Sequence, residues 1–219
     1  HATGSTSVYD FPSTDYNLSV FVVRDRVESV LAPKQKQRIK FVISGAFGEV
    51  ESDFFNNQYA GNKWNLALRL KHEGYPFNNV SGSDENNYSF ELYGVQSEAN
   101  DKLNSFMITA SATRNDYSAD KVFYAGAHRT NFSGSVLDYT DINLGHVRYW
   151  QSHIANSAVD QNSFDPTSVG TNEPFENDLV NAYSIEIPRE KTLAFNWAFS
   201  TITGSNSHGA FTVPDLSSG

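Results

Sequence analysis

WNLALRL, residues 64–70, is the stretch that decides the fold class. Its leucines alternate with other residues, so Leu66, Leu68 and Leu70 fall on one face of an extended strand. Alternation with a period of two is typical of an antiparallel sheet that has one buried face and one solvated face. The stretch therefore predicts a β-sheet protein with a single-sided core.

Further runs along the chain carry the same signal. They are rich in β-branched and aromatic residues and are bounded by Gly, Asn, Asp, Ser or Pro. These runs are LSVFVV (18–23), RIKFVI (38–43), YSFELYGV (88–95), SFMITAS (105–111), KVFYAGA (121–127), AYSIEI (182–187), LAFNWAFS (193–200) and AFTVP (210–214). One short helix is predicted within QSHIANSAVDQN (151–162), ending before Pro166 and Gly170. We expect an all-β, two-sheet antiparallel β-sandwich over residues 1–165. A β-rich C-terminal extension, 166–219, would pack on the same domain or lead to a next module.

Composition narrows the class of protein. The chain has 219 residues, a formal net charge of −9 and no cysteine. An acidic balance argues against nucleic acid or an anionic membrane as a partner. Without cysteine the chain forms no disulfide or thiolate–metal framework, which suits a cytosolic, bacterial or viral assembly context. No apolar run reaches transmembrane length, so we expect no membrane insertion. The small polar residues at both ends suggest a segment of a longer protein.

Four stretches resemble, in order, the laminin-G-like module of the concanavalin-A-like jelly rolls: WNLALRLKHEG, YSFELYGVQ, KVFYAGA and SGSVLDYTDINLGHVRYWQSHI. The positions that carry the resemblance are Trp64, Leu92, Tyr93, Gly94, Gly134, Asp141, Val147, Arg148 and Tyr149. The second Asp of the late-strand pattern is missing, since Gly145 and His146 precede Val147. The resemblance spans about residues 60–160. It implies a two-sheet jelly roll for binding and display, often with Ca²⁺ and a glycan or protein at its loop rims. The C-terminal stretch LAFNWAFSTITGSNSHGAFTVPDLSSG (193–219) is similar to segments that follow such modules in phage virion and tail proteins.

Candidate ligand-binding residues are tyrosines beside turns, where a ring could stack on a sugar or anchor a protein partner. They are Tyr75, Tyr88, Tyr117 and Tyr139. Candidate Ca²⁺ ligands are the oxygen-bearing side chains of SGSDENN (81–87) and TRNDYSAD (113–120), because hard oxygen ligands on loops suit this ion. They are Asp84, Asn86, Asp116 and Asp120. Asp and Asn also dominate ordinary turns, so a metal-free loop is the alternative interpretation.

The stretch GEVESDFF, residues 48–55, raises a catalytic alternative. Glu49, Glu51 and Asp53 would share one face of a strand, as the carboxylates of β-sandwich glycosidases do. Retaining hydrolysis needs two carboxyls about 5–5.5 Å apart. The Cα atoms of residues i and i+4 of a strand lie about 13 Å apart. The order of acids also departs from the glycosidase pattern, which favours a solvated edge over a catalytic strand.

Two Ser-His-Asp sets are close in sequence but lack a nucleophile elbow. They are Ser152, His153 and Asp160, and Ser207, His208 and Asp215. Roles in a triad converge in space rather than in sequence, so we interpret both sets as loop polar residues.

The sequence thus favours a non-catalytic structural or adhesive β-sandwich module on a virion or extracellular surface. Its partners would be other structural subunits or a cell-surface glycan, within an oligomeric parent assembly. One alternative is a viral jelly-roll capsid protein, although no basic arm for packaged nucleic acid begins the chain. A second is a polysaccharide hydrolase or lyase that uses Glu49, Glu51 and Asp53.

Overall fold

A computed structural model describes part of the chain. The residues described are 18–24, 38–56, 58, 62–72, 88–112, 128–129, 136–138, 143–179, 186–202, 204–205, 207 and 211–217.

Within these ranges lie twelve strands, one helix and two 3₁₀ turns. The strands are β1 Leu18–Arg24, β2 Ile39–Gly45, β3 Gly48–Glu51, β4 Trp64–His72, β5 Tyr88–Glu98, β6 Asp101–Ala112, β7 His128–Arg129, β8 Val136–Asp138, β9 His146–Trp150, β10 Asn177–Leu179, β11 Glu186–Pro188 and β12 Leu193–Ala198. The helix α1 is Asn156–Phe164, and the 3₁₀ turns are Arg189–Lys191 and Phe199–Thr201. Every strand pairing is antiparallel. The described part of the chain is thus mostly β, as the alternation predicts.

Two three-stranded sheets position most of the core. Their strand orders are β1-β2-β3 and β4-β5-β6. Strand β5 is the centre of the second sheet and is buried on both faces over Phe90–Ser97. Two-stranded sheets join β7 to β8, β9 to β12 and β10 to β11.

One face of β5 lies in an aromatic cluster shared by the two large sheets. Phe41 and Ile43 of β2 and Leu92 of β5 are its buried centre. The Phe41 ring stacks on Phe106 of β6 with centroids 4.5 Å apart, and Trp64 of β4 lies 4.7 Å from Phe41. Close-packed rings of this kind bury large apolar areas, so the cluster fixes these strands against each other.

Gly94 is required beneath this cluster. The Phe106 ring lies directly over it, and a Cβ atom at position 94 would come within 2.2 Å of Phe106 Cε1. No larger residue fits at this point of β5 unless the ring moves.

The opposite face of β5 carries α1. Tyr93 and Val95 form a second apolar cluster with Ile154, Ala158 and Val159. The sequence of the helix, NSAVDQNSF, is rich in weak helix formers, and its N-cap has no side-chain hydrogen bond. Side chains of β4 and β5, and Lys63 just before β4, hold it instead. Asn65 Nδ2 donates to Val159 O at 3.0 Å, and Lys63 Nζ and Ser97 Oγ donate to Ser163 O at 2.7 and 3.0 Å. Ser163 O is one of the carbonyls left open at the helix C-terminus, and Asn65 binds a carbonyl within the helix.

The exposure of the β4 leucines differs from what the alternation predicts, because the leucine face was expected to be the buried one. They share a face, but Leu66 and Leu68 are 37% and 42% exposed, whereas Arg69 on the other face is 7% exposed. The reason is the position of β4 at the sheet edge. The cluster with β2 covers β5 and β6, and α1 and the residues before it cover the Arg69 face.

Other boundaries also shift. The helix predicted within 151–162 begins at Asn156 and ends at Phe164. AFTVP was predicted as a strand, but 211–214 is not a strand; residue 210 is outside the described ranges, as are KVFYAGA and most of AYSIEI. Strand β12, from the predicted C-terminal extension, pairs with β9. The regions before and after residue 165 therefore share a sheet. None of the helices in the described ranges has the length and hydropathy to span a bilayer.

Candidate functional site

Of the candidate ligand-binding and metal-binding residues, the structure describes Tyr88 alone. Tyr88 begins β5, is half-buried and packs edge-on against the His72 ring with centroids 4.7 Å apart. The other candidates lie outside the described residues: Tyr75, Tyr117, Tyr139, Asp84, Asn86, Asp116 and Asp120. Among the residues that are described, no group of three or more His, Asp or Glu side chains could hold a metal ion.

The acidic stretch GEVESDFF forms a short edge strand. Glu49 and Glu51 of β3 are exposed and alternate with half-buried Val50, and exposed Asp53 follows the strand. The carboxylate of Glu51 forms an ion pair with Lys40 Nζ of the neighbouring strand. The carboxyls of Glu49 and Glu51 thus face solvent, in the environment of a solvated edge.

The side chains of Ser152, His153 and Asp160 have separate partners. Ser152 Oγ lies 2.6 Å from Thr192 Oγ1, and His153 Nε2 lies 3.2 Å from Glu91 Oε2. Asp160 accepts from Tyr93 and Lys102. These three side chains therefore make three separate contacts and do not bond one another as a triad would.

A buried charge cluster joins β4 and β5 to the segment that precedes α1. Glu91 of β5 is its centre: Oε2 lies 3.0 Å from Arg69 Nη2, and Oε1 lies 3.4 Å from Lys71 Nζ. His153 contacts the same carboxylate, and Arg69 Nη1 donates to Ile154 O at 2.8 Å. Because Arg69 and Glu91 are both buried, the pair orders this segment only as long as both charges are present.

The protonation of this cluster follows from its surroundings. Burial lowers the pKa of His153, so its imidazole is neutral at pH 7 and donates Nε2–H to Glu91. Burial acts to raise the pKa of Glu91, but the hydrogen bond from His153 and the charges of Arg69 and Lys71 outweigh it. The pKa of Glu91 is therefore lowered, and the carboxylate stays ionised.

A second polar group ties α1 to the sheet. The Tyr93 hydroxyl donates to Asp160 Oδ1 at 2.6 Å, and Lys102 Nζ donates to the Tyr93 oxygen at 2.7 Å and to Asp160 Oδ2 at 3.0 Å. Burial and the bond to Asp160 raise the pKa of Tyr93, so the phenol stays protonated. The bond to Tyr93 and the charge of Asp160 raise the pKa of Lys102. A protonated phenol between a cation and a carboxylate cannot accept a proton at neutral pH, and the group acts as a tether.

The β9–β12 ribbon presents a row of aromatic rings. Tyr149 pairs with Phe195 across the strands, and their rings stack with centroids 5.6 Å apart and planes at 18°. Phe195 also stacks on Trp197, at 4.5 Å and 23°. Tyr149 is 53% exposed, and the other two rings are half-buried. We call Tyr149, Phe195 and Trp197 the aromatic row.

The other face of the ribbon is pinned by Arg148. Its Nε donates to Asn196 Oδ1 at 3.0 Å, and its Nη1 and Nη2 donate to the carbonyls of Ser168 and Pro166. Asn196 N donates in turn to Asp215 Oδ1 at 2.8 Å. Polar anchors on one face and rings on the other give the aromatic row a fixed backbone.

No protein-family model, curated protein or solved structure matches this chain. Nothing in these comparisons identifies a laminin-G-like or concanavalin-A-like module, so that resemblance stays a prediction from the sequence.

Sequence reasoning missed both the Glu91 cluster and the aromatic row. A charged residue inside an apolar strand, as Arg69 is, was the available signal for the first. The aromatic row joins positions 149 and 195, and its strand pairing leaves no local pattern in the sequence.

Proposed function

We propose that this chain is a non-catalytic structural or adhesive module, and that the aromatic row is its contact surface for a protein partner. The observation that carries the proposal is the half-exposed stack of Tyr149, Phe195 and Trp197 on a pinned ribbon. Tyr and Trp are the residues that most often dominate protein contacts, because they bury large areas at low entropic cost.

The stacking favours a protein partner over a sugar. A pyranose binds on the open face of a ring, but the faces of Phe195 are engaged by its two neighbours. The row thus offers ring edges, the exposed Tyr149 and its hydroxyl. Such a surface fits an apolar side chain flanked by polar backbone groups.

The partners of the buried titratable side chains support a non-catalytic role. The buried Glu91 bonds Arg69 and His153, and the buried Tyr93 bonds Asp160, so these titratable groups serve internal contacts. Perturbed groups in a cleft would indicate catalysis, whereas these hold α1 and its preceding segment on the sheet.

The test is selection of ligands against matched variants. A random peptide display library and a printed glycan array are each screened with the natural chain, with Tyr149→Ser and with Phe175→Ser. Phe175 is 79% exposed and lies outside the aromatic row, so its variant is the matched control.

We expect peptides that bind the natural chain and Phe175→Ser, and that bind Tyr149→Ser at least about tenfold more weakly, as for loss of a hot-spot residue. Unchanged melting temperatures would show that the variants fold. Glycans in place of peptides, with the same dependence on Tyr149, would reassign the partner to a sugar. Ligands insensitive to Tyr149 would overturn the proposed surface.

A further inference from the structure

Residues 215–217 lie along the outer edge of β12, on the side away from β9, and we call them the edge segment. Trp197 and Asp215 form an antiparallel bridge, and Leu216 N donates to Asn196 O at 2.9 Å. Asn196 N donates to Asp215 Oδ1 at 2.8 Å. The outer edge of the ribbon that carries the aromatic row is therefore a strand-pairing site, and the chain's own edge segment occupies it.

One hydrogen bond of the edge segment departs from a strand ladder. With Trp197 opposite Asp215, Asn196 lies opposite Leu216, and the two residues of a hydrogen-bonded pair normally exchange both N–H···O bonds. Leu216 N makes one of these bonds, but Asn196 N donates to the Asp215 carboxylate, which takes the place of the Leu216 carbonyl. A strand that supplied a backbone carbonyl at this point would make the regular pair.

The edge segment buries little of its own surface. Asp215 and Leu216 are both exposed, and Leu216 is 51% exposed. A segment with little buried apolar surface opens locally at a much lower cost in free energy than global unfolding. The edge segment is therefore suited to exchange with another strand.

The edge segment places polar residues opposite two rings of the aromatic row. With Trp197 opposite position 215, the antiparallel register places position 217 opposite Phe195. These positions hold Asp215 and Ser217, whose polar groups bond to the β12 backbone and to each other. Trp197 and Phe195 stay half-buried. Because directly opposite side chains lie on the same face, apolar residues at these two positions would cover the rings.

We propose that the partner of the aromatic row is an extended segment of another protein, which displaces the edge segment and adds to β12 as a strand with apolar residues opposite Phe195 and Trp197. This inference rests on the proposed function and specifies the conformation of the partner. Strand addition gives affinity through backbone hydrogen bonds and specificity through alternate side chains. The edge segment is then an internal competitor, which lowers the apparent affinity because the binding-competent state is only partly populated.

The first test is amide hydrogen exchange of the natural chain, measured by NMR and corrected for intrinsic rates. Ladder bonds alternate along a strand, so Asn196 N–H points to the edge segment and Trp197 N–H points to β9. We expect the Asn196 amide to exchange at least about tenfold faster than the Trp197 amide, since only the edge segment has to open. Equal rates would show that the edge segment opens only together with the ribbon, which would overturn the proposed displacement.

The second test is the binding of two synthetic peptides, followed by NMR titration. One peptide has the sequence of residues 211–217, and the other, the valine peptide, has valine in place of Asp215 and Ser217. Each is added to the natural chain and to Asp215→Ala/Leu216→Pro, which removes the carboxylate and the N–H that hold the edge segment. Leu103→Ala is the matched control, since Leu103 is similarly exposed but lies on β6. Unchanged melting temperatures would show that the variants fold.

We expect the valine peptide to bind Asp215→Ala/Leu216→Pro at least about tenfold more tightly than the natural chain or Leu103→Ala, because the internal competitor is weakened. It should also bind that variant more tightly than the peptide of natural sequence does, and should shift the Asn196 amide signal. Equal affinity for all three proteins, or no binding at millimolar concentration, would overturn strand addition. Display-selected peptides that depend on Tyr149 would then still support the aromatic row, whereas their absence would overturn the proposed function itself.

Discussion

Replacing Arg69 by methionine should lower the free energy of unfolding by more than a change at the protein surface does. The side chains of Arg69 and Glu91 are each 6% exposed, and their charges lie 3.0 Å apart. Arg69→Met keeps most of the side-chain volume but removes the charge and the bond to Ile154 O. Glu91 is then left with Lys71, which is 39% exposed, and with a neutral His153.

The size of the effect follows from this change. Removing one partner of a buried ion pair costs about 3–5 kcal/mol, because the other charge stays buried without compensation. Since Lys71 and His153 remain, we expect the lower end, about 3 kcal/mol. For a chain of this length that corresponds to a fall in Tm of about 6–12 °C. Lys71→Met, the matched change at a partly exposed partner of Glu91, should cost under about 1 kcal/mol.

Urea denaturation followed by circular dichroism measures these differences. The double variant Arg69→Met/Glu91→Leu removes both buried charges and should recover to within about 1 kcal/mol of the natural chain. If Arg69→Met costs less than about 1 kcal/mol, or if the double variant is no more stable than the single one, the reasoning about buried charge is refuted.

Three further predictions concern stability. Gly94→Ala should destabilise the fold by about 1–3 kcal/mol, because its methyl group overlaps the Phe106 ring, and Phe106→Leu should rescue part of the loss in urea melts. Ala99→Gly in the β5–β6 turn should stabilise by about 1 kcal/mol, since Ala99 has φ 52°; an unchanged urea midpoint would contradict this. Stability should fall as the pH drops below about 6.5, the pKa of His in an unfolded chain. Burial lowers the pKa of His153 in the folded chain, so at such a pH the unfolded chain binds a proton that the folded chain does not. Loss of the Glu91 charge should add to the fall below pH 4.5, its ordinary value, since its folded pKa is lowered. In thermal melts between pH 7 and pH 5, the Tm of His153→Gln should fall less with pH than the Tm of the natural chain. Equal falls would count against His153 as the titrating group.

The strands could be predicted from the sequence because their signal is local. Alternation and turn residues located β1, β2, β4 and β5 within two or three residues. The pattern also placed the leucines of β4 on one face. It could not say which face is covered, because the cover of Arg69 comes from Ile154, 85 positions away.

The start of helix α1 and the aromatic row were hard to predict for the same reason, since both depend on contacts between residues far apart in sequence. Helix α1 is rich in weak helix formers and is fixed by Asn65 and Ser97 of the sheet and by Lys63 just before β4. Its own sequence therefore gives little indication of where it begins. The aromatic row depends on the pairing of β9 with β12, which is long-range. Rim tyrosines beside turns are visible in sequence, but an aromatic stack between distant strands is visible only in the folded chain.

The most direct measurement of the central claim is the affinity of display-selected peptides for the natural chain, Tyr149→Ser and Phe175→Ser. The account predicts that Tyr149→Ser weakens binding at least about tenfold and that Phe175→Ser does not. Equal affinity for all three proteins, with all three folded, would contradict a contact function for the aromatic row.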